Sequence, residues 1–159
     1  MPWINDLLSK LAGQEPGPEP TVHPVLGRIW PPFRPKTDAW HWEMLDPVQH
    51  PRGPVTATWR AGRDGPSGEQ VAFWLWLNDH IDEVVTQSRD LLAQQLPDWI
   101  GKPAPADLWE ELSWEGADLP IDGRQTSDWE VSFGTRTCPD VLLTVIYEKG
   151  RPVLVRADD

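Results

Sequence analysis

A chain of 159 residues with one cysteine and a formal net charge of −11 fits a single domain that builds its own core without an internal disulfide. No run nears the ~18 apolar residues of a membrane helix, and an acidic field repels nucleic acid and anionic membrane. The excess charge sits in the middle: residues 79–130 hold 13 acids and only Arg89, Lys102 and Arg124, whereas residues 1–78 hold 8 acids and 7 bases and residues 131–159 hold 4 of each. Eleven Trp against three Phe and one Tyr supply large core anchors and leave candidates for a surface patch. Met1 to Gly13 lacks the basic start and apolar stretch of a secretory signal, so a cytoplasmic location is expected.

In chain order, Trp3, Ile4, Leu7, Leu8 and Leu11 share one stripe of a short amphipathic helix over residues 1–13. Residues 14–24, with Pro16, Pro18, Pro20 and Pro24, read as a stiff linker. The body is expected over 25–159 as one α+β domain. Val25 to Trp30 is a short strand stopped by Pro31-Pro32. Ala39 to Leu45 and Val55 to Arg60 alternate at the period of half-buried strands. Gln70 to Leu77 is apolar on both faces and reads as a central strand. Asp79 is the expected N-cap of the clearest helix, whose core stripe is Ile81, Val84, Val85, Ser88, Leu91, Leu92 and Leu96 and which Pro97 limits. A second short helix is expected from Ala106 to about Trp114. Trp129 to Phe133, Val141 to Tyr147 and Pro152 to Arg156 are strands, the last two joined by a turn at Glu148 to Arg151. This order predicts a mostly antiparallel sheet with two helices from the middle third packed on it.

No familiar catalytic or metal constellation stands out. His23, His41, His50 and His80 include no i, i+4 pair of the zinc-site kind, and one cysteine builds no thiolate cluster. Cys138 names no base partner, and its expected role is an inert, partly buried thiol. There is no Gly-x-Ser-x-Gly elbow and no phosphate loop. Carboxylate pairs such as Glu110–Glu111 and Asp79–Asp82 are expected by chance among 25 acids. No cofactor and no metal are expected.

The densest feature is the stretch from Asp107 to Asp118, in which Asp107, Glu110, Glu111, Glu115 and Asp118 surround Trp109 and Trp114. Read as structure, it is an amphipathic helix with a solvated acidic face and both Trp in the core. Read as function, it is an aromatic anchor ringed by acids and fitted to a basic protein partner. The second reading requires Trp109 or Trp114 to be exposed. It makes the chain a binding protein rather than an enzyme. The alternatives are a Trp-lined carbohydrate-binding or carbohydrate-active protein and an adaptor held through the N-terminal helix.

From Gln70 onward the layout resembles an uncharacterised bacterial domain family associated with polymorphic-toxin immunity proteins. The features shared are a long helix (Asn78 to Leu96), a short Leu/Trp segment leading to a turn (Leu108 to Asp122-Gly123), and an aromatic-rich final hairpin (Trp129 to Phe133, Val141 to Gly150). Cys138-Pro139-Asp140 stands where that pattern has a Gly-His pair. The resemblance implies an intracellular protein that neutralises a basic toxin, and it carries over no functional residues.

Overall fold

The computed structural model describes residues 19–31 and 39–158; the segment over 1–13 lies outside them. Residues 70–77, expected as a strand, form the first half of helix α1 (Gly68–Gln87). Ser67 is its N-cap. The Ser67 hydroxyl accepts the Gln70 N–H at 3.2 Å, and the Gln70 side-chain oxygen accepts the Ser67 N–H at 3.1 Å, a reciprocal capping box. Gln70, Phe73, Trp74, Leu77, Ile81, Val84 and Val85 are buried at the spacing of a helical stripe. A strand would have turned Leu75 inward beside Phe73 and Leu77, yet Leu75 is 49% exposed. Asp79, the expected cap, is an exposed residue in mid-helix. The helix kinks at His80, whose ring stacks on Trp76 at 5.1 Å and donates from Nδ1 to the Trp76 carbonyl at 2.8 Å.

Ser88 separates α1 from α2 (Arg89–Ile100). Pro97 lies inside α2 instead of ending it: Leu96 and Ile100 are both buried and hold the final turn in place. Gly101 closes the helix in the left-handed region at φ 67°.

The strands are β1 (Thr21–His23), β2 (Gly27–Trp30), β3 (Trp40–Met44), β4 (Val48–His50) and β5 (Gly53–Ala61) before the helices, then β6 (Leu112–Leu119), β7 (Trp129–Thr135), β8 (Leu142–Glu148) and β9 (Arg151–Asp158). They form one sheet in the order β1-β2-β3-β5-β6-β7-β8-β9, with β4 hairpinned onto β5. Every pairing is antiparallel except β5 with β6. That exception follows from the α1–α2 crossover, which returns the chain to the end of the sheet it left. The class is α+β with a mostly antiparallel sheet, as the element order predicts.

Two expectations are corrected here. Strand β1 falls within the stretch expected as linker; it pairs with β2, and His23 Nδ1 accepts the backbone N–H groups of Val25 and Leu26 at 3.2 Å each. The helix expected over 106–114 is a single 3-10 turn (Leu108–Glu110) running into β6. Leu108 and Leu112 stand four apart and imitate a helical stripe. In the sheet, a bulge at Glu115 breaks the alternation so that Trp114 and then Ala117 and Leu119 turn inward.

One face of the sheet is covered by α1 and α2. Val55, Ala57 and Trp59 of β5, Leu112 and Trp114 of β6, Val131 and Phe133 of β7, and Leu143, Val145 and Tyr147 of β8 are buried there with the helix stripe. Trp129 stacks on Tyr147 at 3.8 Å and meets Phe73 edge-on at 5.3 Å, which ties the last strands to α1. The residues that alternate with these form the opposite face, over which no described element packs.

Candidate functional site

The sheet splits the seven residues singled out in the sequence. Asp107 caps the 3-10 turn, accepting the Trp109 N–H at 3.0 Å. Trp109 is half-buried against Phe133, ring centroids 5.9 Å apart, beneath the Arg52 guanidinium at 4.7 Å. Trp114 is fully buried beside Trp74. Glu110 is exposed alone. Glu111 is buried and committed to the fold: its carboxylate accepts the Thr137 N–H at 2.6 Å and the Thr137 hydroxyl at 2.9 Å and meets Lys102 Nζ at 3.2 Å. Burial works to raise the Glu111 pKa, but the two Thr137 donors and Lys102 outweigh it and hold the carboxyl below its ordinary value. An exposed aromatic anchor ringed by acids is therefore not assembled. Of the ten described tryptophans, five are buried and five, Trp30, Trp40, Trp76, Trp99 and Trp109, are half-buried.

Glu115 and Asp118 fare differently. Both reach the open face at the centre of the sheet, where they share a shallow depression of about 350 Å³ with Thr56, Thr58, Gly116, Glu130, Ser132 and Leu142. The register explains the grouping. Thr56 pairs with Gly116 and Gly116 with Ser132; Thr58 pairs with Asp118 and Asp118 with Glu130. Two adjacent rows thus run across three strands, one of small residues and one bearing the carboxylates. Gly116 forms the floor by lacking a side chain, and a methyl group there would meet the Thr56 carbonyl oxygen at 3.4 Å and the Thr56 hydroxyl at 3.8 Å. The bulge frees Glu115 to lean across Gly134, where any Cβ would stand 2.7 Å from Glu115 Oε1. Glu115 accepts the Ser113 hydroxyl at 2.7 Å.

The electrostatics are unbalanced. Asp118 accepts the Thr58 hydroxyl at 3.1 Å. Partial loss of water pushes its pKa up, and the neighbouring Glu130 charge pushes the same way; Thr58, His41 and Arg60 only partly oppose this. Glu130 is answered by Arg156, which reaches across from β9 to 3.3 Å. Among the described residues no cation lies within ion-pair distance of Glu115 or Asp118. A carboxylate such as Asp118, partly dehydrated and beside a second acid, gains from an arriving positive charge.

Glu130 and Ser132 were missed in the sequence, although the alternation of Trp129, Val131 and Phe133 places them together on the other face. The helices carry a second acidic surface, with Glu69, Asp79, Asp82, Glu83, Asp90 and Asp98 all exposed. There Arg52 already holds Asp82 at 2.9 Å, and the Thr86 hydroxyl is spent on the Asp82 carbonyl at 2.8 Å. Cys138 is half-buried with its thiol donating to the Trp99 carbonyl at 3.0 Å. No helix of the described residues is long and apolar enough to cross a membrane, and no group of three or more His, Cys, Asp or Glu among them is placed to hold a metal ion. No family model, curated protein or solved structure matches the chain.

Proposed function

We propose that the protein is a binding module whose open sheet face takes a cationic side chain from a basic protein partner. The observation that carries this reading is the pair Glu115 and Asp118, which border one glycine-floored depression and have no cation among the described residues within ion-pair distance. Thr56, Thr58 and Ser132 add hydroxyl oxygens that can turn toward an ammonium or guanidinium. Arg156 on Glu130 is an internal example of the chemistry. The formal charge of −11 steers a basic partner toward the surface and speeds encounter. A basic toxin would be one member of this partner class, as the resemblance of the layout from Gln70 onward to a family associated with polymorphic-toxin immunity proteins implies.

The test is a titration of the ¹⁵N-labelled protein with an arginine-rich peptide, followed by amide chemical shifts. Shifts are expected at Thr56, Thr58, Glu115 to Asp118 and Glu130 to Ser132. Asp118→Lys should weaken binding by roughly tenfold or more. Gly116→Leu should fill the depression and abolish binding while leaving the fold intact. Shifts confined to the acidic outer surface of α1 and α2 would sink the proposal.

A further inference from the structure

We infer that the partner segment that docks on this face pairs its cation with an apolar side chain two to four residues away. The inference rests on the cation-binding reading and adds the partner's second contact. The row that contains Asp118 and Glu130 continues through Ile146 of β8 to Leu154 of β9, because Glu130 pairs with Ile146 and Ile146 with Leu154. Leu142, which lines the depression, stands on the same face of β8 one row beyond Thr144. Strand β8 thus carries apolar residues on both sides, with Leu142 and Ile146 flanking the buried Thr144 on the open face. Leu143, Val145 and Tyr147 face the helices, while Leu142 and Ile146 are only half-covered on the open face and Leu154 is 53% exposed. A sheet face bathed by water ordinarily alternates to polar residues, as β5 does with Thr56, Thr58 and Arg60. Apolar residues here, two strands from Glu115 and Asp118 on the same face, mark a surface that a partner covers.

The spacing defines the partner. Adjacent strands lie ~4.8 Å apart, so the depression between β6 and β7 is separated from the apolar strip on β8 and β9 by one to two strand spacings, ~5–10 Å. An extended segment spans ~6.6 Å between residues i and i+2 on one face, and a helix spans ~5–6 Å between i and i+3 or i+4. A basic residue followed at those intervals by a Leu, Ile or Phe places its charge between Glu115 and Asp118 and its apolar side chain on Ile146 and Leu154. A purely basic segment leaves the strip uncovered. The charge separation in the face also fixes the direction in which the segment lies, from β6 toward β9.

The experiment compares three nine-residue peptides by titration against the full chain. One carries Arg with Leu two residues later, one has that Leu replaced by Ser, and one has the Arg replaced by norleucine. The first should bind roughly tenfold more tightly than the second, the effect of covering one Leu side chain, and the third should not bind measurably. Leu154→Ser combined with Ile146→Thr should erase the advantage of the first peptide while leaving the second unchanged. Equal affinity of the first two peptides overturns the inference and leaves the cation-binding reading standing. Binding of the norleucine peptide as tightly as the first overturns both. Sedimentation at the titration concentrations supplies a further check: a dimer that Leu154→Ser dissociates would assign the strip to a second copy of the chain and overturn the inference.

Discussion

The hydroxyl of Tyr147 and the hydroxyl of Ser88 lie 2.7 Å apart in the core, and both reach the Val84 carbonyl, at 3.1 Å and 2.9 Å. Ser88 marks the break between the helices, and Tyr147 sits on β8 59 residues later. This contact joins the break in the helical layer to the sheet, and it adds hydroxyl contacts to a carbonyl that already accepts the Ser88 N–H at 3.1 Å. Burial pushes the Tyr147 pKa up to about 12, with Ser88 opposing only weakly.

Tyr147→Phe should therefore destabilise the fold by about 1–2 kcal/mol, the scale of a lost buried hydrogen bond. The same group sets an alkaline limit. A tyrosine ionises near 10 when unfolded and near 12 here, so the unfolded chain sheds its proton first and stability falls as pH rises between those values. Because Tyr147 is the one tyrosine in the chain, phenolate absorbance reads its titration directly. Denaturation of the Phe variant should lack this component of the alkaline loss; a phenolate appearing near pH 10 in the folded protein would contradict the account.

Glu111→Gln should cost about 1–3 kcal/mol, since the Thr137 donors lose their charged acceptor inside the core. The carboxyl is held below its ordinary value, so its contribution is present above the unfolded pKa and is lost as pH falls through the lower, folded one. Denaturant midpoints measured from pH 7 down to pH 3 should fall less steeply for the variant than for the parent.

Asp118→Asn should act in the opposite sense. The folded pKa is raised, so the parent is at its best below the unfolded value and loses that part of its stability as pH climbs through the folded one. At neutral pH the amide should stabilise the protein by about 0.5 kcal/mol, the scale of a solvent-screened surface change, and the gain should vanish once the pH falls below the ordinary aspartate range. The Thr58 hydrogen bond survives in this variant, because the amide oxygen accepts as the carboxylate did. Cation binding should weaken at the same time, so stability and function trade against each other at this residue.

Gly123→Ala should be the most damaging single methyl in the β6–β7 loop. Gly123 has φ 68°, and a Cβ there would stand 2.4 Å from the Glu69 carbonyl carbon and 2.6 Å from the Gln70 nitrogen in the first turn of α1. The loop is clamped to that turn by Gln70, whose amide also donates to the Arg60 and Pro120 carbonyls. A loss of more than ~2 kcal/mol is expected, and urea denaturation measures it.

The class and most strands were legible because their residues alternate over five or more positions. Ala39 to Leu45, Val55 to Arg60, Trp129 to Phe133 and Val141 to Tyr147 all fall within observed strands or within one residue of them. The Lys149–Gly150 turn was equally plain, and it adopts the positive φ values of 50° and 73° that a tight hairpin needs. The start of α1 was legible and overlooked: Ser67-x-x-Gln70 is a capping signature, but a run rich in Trp, Phe and Leu satisfies both periods, and burial alone decides between them.

What the sequence by itself determined is the charge, the alternation and therefore the class of fold. The acids at Glu115 and Asp118 were visible in it, but their partners were not. Thr56, Glu130 and Ser132 lie far along the chain and become neighbours only because the helical crossover sets β5 beside β6 in parallel and β7 returns against β6. The bulge at Glu115 settles the rest. One extra residue turns Trp114 into the core and Glu115 out onto the face, and that choice is made by pairing across strands, which no local pattern records.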